Sequence, residues 1–138
     1  MKTVAILTLL TAIHAVESDG GRDPRCGWNE YQITKRCVDD VNRICEQHDL
    51  YHRFGYGDVL DPVKSRGIAI IYMSHYGEKY RKRTGDDPTA KVYALIFHLG
   101  YKGYFDPAKS AEGERYWRKI SRQLNQGTNE RRTECRRK

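Results

Sequence analysis

Apolar residues recur along most of this chain with the period of an α-helix, and almost nowhere with the two-residue alternation of a strand. From Arg36 onward Val38, Val41, Ile44 and Cys45 fall on one helical face, which predicts a helix of about three turns. His48 to Leu60 interrupts it with Gly55 and Gly57. Asp61-Pro62 reads as an N-cap followed by proline at the first helical position, and Ile68, Ile71, Tyr72, Met73 and Tyr76 then form a stripe that runs until Gly85, the expected long central helix. The same start signal at Asp87-Pro88 predicts a helix with Val92, Ile96 and Leu99 inward and Gly100 as its stop. Gly100 to Pro107 reads as a tyrosine-bearing loop, and a final helix carries Tyr116, Trp117, Ile120 and Leu124. Tyr31-Gln32-Ile33-Thr34 is a short extended or turn segment, and Ser18 to Asn29, rich in Gly, Asp, Arg and Pro, is a loop. The expected fold class is mainly α with at most a minor β element.

The first segment carries two readings. Lys2 followed by the apolar run Val4 to Ala12 has the form of a secretory signal peptide, too short to span a membrane. The other reading makes it the first helix of the mature fold, with Val4, Leu7, Thr11 and His14 or Ala15 on one stripe and Glu17-Ser18 at its end. The residues C-terminal to this segment favour the second, because removing the segment takes away the helix that holds Glu17.

At 138 residues the chain suits one compact domain, expected over residues 1–125, with a basic C-terminal tail over 126–138. The 25 Lys and Arg against 18 Asp and Glu, a formal +7, favour polyanions in general, whether wall polymers, nucleic acid or anionic lipid. Four cysteines, Cys26, Cys37, Cys45 and Cys135, permit disulfides in an oxidising compartment and prove none. Cys37 and Cys45 lie about 12 Å apart along one helix, beyond disulfide reach. No His/Cys spacing suggests zinc.

Ala12-Ile13-His14-Ala15-Val16-Glu17-Ser18, a Gly/Asp loop, and Gly27-Trp28-Asn29-Glu30-Tyr31-Gln32-Ile33 together resemble the catalytic region of the lysozyme and lytic transglycosylase superfamily. There an apolar helix ends in Glu-Ser and a nearby segment reads Gly-x-x-Gln-Ile. Cys37 to Ile44, Asp61-Pro62-x-Lys64-Ser65-Arg66, Tyr76-Gly77 and Tyr116-Trp117-x-Lys119 look like the small phage and bacterial branch related to the invertebrate type. The similarity runs in order from about Leu9 to Leu124. It implies a single lysozyme-like catalytic domain, acting as a monomer on peptidoglycan glycan strands, with no cofactor, no metal, no nucleic-acid partner and no transmembrane segment.

The chemistry explains the arrangement. Cleaving a glycosidic bond takes a carboxylic acid that is still protonated near neutral pH. The C-terminal end of an apolar helix suits such a group, since burial and the negative end of the helix dipole both disfavour a carboxylate. Glu17 is the candidate acid. Asp19 and Asp23 are candidates for a second carboxylate, with Glu30 third, although the loop after Glu17 is shorter than in relatives. In the resembled superfamily the members that use a single Glu form an anhydro-sugar, so the resemblance implies that losing the second group need not mean losing activity.

Ser18, Tyr31, Gln32, His98 and Tyr101 are the candidate substrate-binding residues. An amide such as Gln32 can hold sugar hydroxyls through both donor and acceptor, and Tyr101 can stack on a sugar ring. His98, in Ala94-Leu95-Ile96-Phe97-His98-Leu99-Gly100-Tyr101, stands where the family places a substrate-binding Asn. The shortened loop and this exchange motivate an alternative, a lysozyme-fold protein that grips glycan without cutting it. A further alternative is a secreted basic protein whose first segment is removed. The residues leave the compartment open; the resemblance implies a cell-wall destination, reached by secretion or by release as a phage-type lysin.

Overall fold

The computed structural model describes the backbone of residues 2–17 and 31–136, and side chains over 6–17 and 31–126. Among the described residues six α-helices succeed one another: α1 (Lys2–Glu17), α2 (Lys35–Gln47), α3 (Pro62–Thr84), α4 (Ala90–Leu99), α5 (Tyr101–Tyr104) and α6 (Ser110–Arg136). Short 3-10 turns at Tyr56–Leu60 and Pro107–Lys109 join them. The fold is mainly α, and the described residues contain no strand.

Local chemistry fixes most helix ends. The Thr34 hydroxyl accepts from Cys37 N to start α2, and the Asp61 carboxylate accepts from Val63 N and Lys64 N ahead of Pro62 to start α3. Each satisfies amide donors that have no partner within the helix. Gly85 ends α3 in the left-handed region at φ 81°, where glycine carries no Cβ penalty. The start of α4 differs from the sequence expectation: Thr89, not Asp87, caps it by accepting from Val92 N. Half of the stretch expected as a loop over 100–107 is the helical turn α5, entered through Gly100 at φ 77°. The backbone of the basic C-terminal segment continues α6 to Arg136.

Helix α4 is the hub, packing on α1, α3, α5 and α6, while α1 also lies along α6 and α2 along α3. Leu9, Leu10 and Ile13 of α1 meet Val38, Val41 and Cys45 of α2, Ile68, Ala69 and Met73 of α3, Ala94 and Leu95 of α4 and Ile120 of α6 in one core. A second cluster joins Ile44, Tyr76, Val92 and Ile96. The buried face of α1 is Ile6, Leu9, Leu10, Ala12 and Ile13. Leu7 is 41% exposed and Thr11 is exposed, its hydroxyl donating to the Leu7 carbonyl at 3.2 Å, so these two residues of the expected stripe do not belong to the buried face. The helix is apolar on nearly every side, and periodicity gives such a helix no direction.

Among the described residues no helix is long and apolar enough to cross a membrane. Cys37 and Cys45 are free thiols.

Candidate active site

Three helix ends converge on one cluster of polar side chains. Glu17 is the last residue of α1, His98 lies in the last turn of α4, and Glu112 and Tyr116 stand one turn apart near the start of α6. Gly113 makes the approach of α4 and α6 close: a Cβ there would meet Leu99 Cδ1 at 3.3 Å and Leu95 Cδ2 at 3.4 Å. That approach lets the His98 imidazole lie flat on the Tyr116 ring, centroids 3.9 Å apart and planes within 6°.

The Glu17 side chain is 16% exposed, and its Oε1 is 3.6 Å from His98 Nδ1. On the other side of the same ring, His98 Nε2 is 3.2 Å from Glu112 Oε1, on a side chain that is 52% exposed. The three groups thus run from the interior to solvent in the order Glu17, His98, Glu112. Helix dipoles favour a cation at the C-terminal end of α4 and an anion in the first turn of α6, and disfavour an anion at the end of α1. Burial raises the Tyr116 phenol far above its ordinary value, and the Glu17 carboxylate adds to this as a charge and as a nearby acceptor. The phenol therefore stays protonated. Its buried hydroxyl faces Glu17 without reaching a hydrogen bond of good geometry.

Gln32 sits beside this cluster, with its Nε2 donating to the Glu17 backbone carbonyl at 3.3 Å. It satisfies an open carbonyl at the end of α1 and ties its own segment to the catalytic candidate. Its backbone is left-handed, φ 54°, a conformation that costs a non-glycine residue about 1–3 kcal/mol. Tyr31 is 3% exposed and packs its ring 5.9 Å from His14, so it belongs to the core and presents no surface to a ligand. Ser18, Asp19 and Asp23, and also Glu30, lie outside the described residues.

Tyr101 belongs to a separate aromatic group. It stacks on Tyr76 at 5.4 Å and meets Phe105 edge-on at 5.2 Å, with Lys79 Nζ 4.9 Å from its centroid. The Tyr76 hydroxyl donates to Asp40 Oδ2, and Arg43 Nε donates to Asp40 Oδ1 at 3.1 Å, so Tyr76 links α3 to α2.

Two residues at the convergence escaped sequence reasoning. Glu112 sits among polar neighbours on α6, and only the packing of α6 on α4 brings it to His98. Tyr116 reads as one more core position, and its hydroxyl acquires meaning from Glu17, far away in sequence. The signal that could have found them was the four-residue spacing of Glu112 and Tyr116, which puts both on one helical face.

A shallow cavity of about 120 Å³ lined by Ile6, Ile70, Gly77, Glu78, Pro88 and Tyr93 lies elsewhere, since Ile6 is about 16 Å from Glu17 along α1. Among the described residues no group of three or more His, Cys, Asp or Glu is placed to hold a metal ion. Compared with known proteins, the chain matches no family model, no curated protein and no solved structure.

Proposed function

We propose that the chain is a peptidoglycan glycosidase that cleaves the glycan strand between N-acetylmuramic acid and N-acetylglucosamine, with Glu17 as general acid. The observation that carries this is the setting of Glu17, a largely buried carboxyl at the end of an apolar helix beside His98 and a phenol held neutral. General acid catalysis needs a carboxyl with restricted access to water and neighbours that can hold a proton near it. The Glu17-Ser18 pair and the Gln32-Ile33 segment are among the residues on which the lysozyme resemblance rests, and Gln32 donates to the backbone carbonyl of Glu17. The formal +7 suits an anionic wall.

Binding without cleavage is the second reading. One observation favours it: the Nδ1 edge of His98 occupies one side of the Glu17 carboxyl, where the resembled family has an amide.

Incubating the full-length protein and its Glu17→Gln variant with purified peptidoglycan, then identifying released fragments by mass spectrometry, tests both. Fragments with reducing ends from the wild type, reduced about 10²–10⁴-fold in the variant, support a hydrolase. Anhydro ends support a single-acid transglycosylase. Intact glycan with folded wild type, together with co-sedimentation of the protein, sinks the enzyme reading and leaves binding.

A further inference from the structure

We infer that the acid of this site is a shared-proton pair, Glu17 with His98, and that Glu112 is the positioning residue that turns His98 toward Glu17. The inference rests on the glycosidase reading above. His98 lies between two carboxyl groups, Nδ1 at 3.6 Å from Glu17 Oε1 and Nε2 at 3.2 Å from Glu112 Oε1. An ionised carboxylate can only accept, so the exposed Glu112 takes Nε2–H as its donor. Nδ1 is left facing Glu17, and the 3.6 Å gap closes to a hydrogen bond with a shift of about half an ångström, the tightening expected when a ligand covers a catalytic site. The ring has little freedom to turn away, because it is stacked face to face on Tyr116.

In the active form of this pair Glu17 and His98 share one proton. It sits on Oε1, giving a carboxylic acid and a neutral imidazole, or on Nδ1, giving a carboxylate and an imidazolium. Both forms have the same total charge and interconvert without a proton from outside. Water favours the charge-separated form. A sugar ring laid over the cluster excludes water and favours the neutral form, so substrate binding itself places the proton on Glu17.

In the cleavage step the Glu17 O–H bond breaks and its electron pair stays on the carboxylate. The glycosidic oxygen gains that proton as its bond to the anomeric carbon breaks, the bonding pair moving to oxygen. Water adds its oxygen to the anomeric carbon, and the proton it releases goes to the Glu17 carboxylate or to His98 Nδ1, which restores the shared proton. The titratable groups that face His98 among the described residues are Glu17 from α1 and Glu112 from α6, with the phenol of Tyr116, also from α6, against its face.

The test compares pH–activity profiles on purified peptidoglycan for the full-length wild type, His98→Asn and Glu112→Gln, with circular dichroism to establish that each is folded. His98→Asn keeps a hydrogen-bonding side chain and removes the second proton site. Its activity is expected to fail on the alkaline side about 1–3 pH units earlier than the wild type, the range that a neighbouring charge imposes. Glu112→Gln is expected to move the same way by less, with kcat affected more than KM. Superimposable profiles overturn the pair. Nitrogen NMR of the His98 ring gives a readout that needs no turnover: its pH course is expected to differ between wild type and both Glu17→Gln and Glu112→Gln, and identical courses overturn the inference. A coupled His98 in a wild type that cuts no glycan upholds the shared proton and removes only the glycosidase reading.

Discussion

The imidazole of His98 lies parallel to the phenol of Tyr116 with ring centroids 3.9 Å apart, so the helix that brings the histidine and the helix that brings the tyrosine are joined by two flat faces. The tyrosine contributes area and shape, while its hydroxyl is buried without a hydrogen bond of good geometry. Tyr116→Phe keeps the stack and removes the hydroxyl, so its stability in urea is expected to stay within about 1 kcal/mol of wild type or to rise. Tyr116→Ala removes the ring and is expected to cost about 3–5 kcal/mol. Equal losses for both would mean that the hydroxyl, not the ring, holds α4 to α6.

Two glycines of α3 make an internal comparison. A Cβ on Gly67 meets nothing within 4 Å, whereas one on Gly77 falls against the Tyr93 ring, 3.0 Å from its Cζ. Gly67→Ala is expected to stabilise by about 0.5–1 kcal/mol through helix propensity. Gly77→Ala is expected to destabilise by about 1–3 kcal/mol, because the largely buried Tyr93 has to move. Thermal unfolding followed by circular dichroism separates the two, and a shift of the same sign in both would contradict the packing of α3 on α4.

Elements written by local chemistry were legible from sequence, and those written by packing were not. Asp61-Pro62 and Gly85 bracket α3 as expected because a cap needs only the residues beside it. Asp87-Pro88 carries the same signal, yet Thr89 performs the capping, which moves the start of α4 by two residues. The inward face of α1 was not legible, because Leu7 and Thr11 obey the helical period as well as Leu9 and Ile13 do, and only the position of α4 and α6 distinguishes them. Glu17, Gln32 and His98 were named as candidates from sequence, and the structure brings them together. Glu112 was not, since its partner is reached through the close approach at Gly113, a property of two helices together.

Alkaline pH should weaken the fold through its buried acids. Burial, and then the hydrogen bond to Asp40, push the Tyr76 phenol up to about 12 from an ordinary value of 10.0. Burial pushes the Cys37 thiol up to about 12 as well, and Tyr72 and Tyr116 move in the same direction for the same first reason. A raised native value means that the unfolded chain releases these protons first. The stability they contribute is complete below the unfolded values, falls as pH climbs through them, and for Tyr76 is spent once pH passes about 12. Urea midpoints measured from about pH 8 upward are expected to hold at first and then decline. In Tyr76→Phe the decline is expected to be shallower, from a lower starting stability because Asp40 loses a donor. A decline of identical slope would remove Tyr76 from the account.

Helix α1 supplies both the candidate acid and a wall of the core, so its face can be tested without reference to activity. Ile13 is 0% exposed and Leu7 is 41% exposed, on a helix where either residue satisfies the apolar period. Ile13→Ala empties a site enclosed by the core and is expected to cost about 2–5 kcal/mol, including the cavity it leaves. Leu7→Ala, with much of its side chain in water, is expected to cost well under that, about 0.5–1 kcal/mol. The order matters more than the size. If Leu7→Ala proves the costlier change in urea, α1 is rotated about its axis. That rotation would carry Glu17 away from His98, because helical side chains keep their angular relation along a rigid helix.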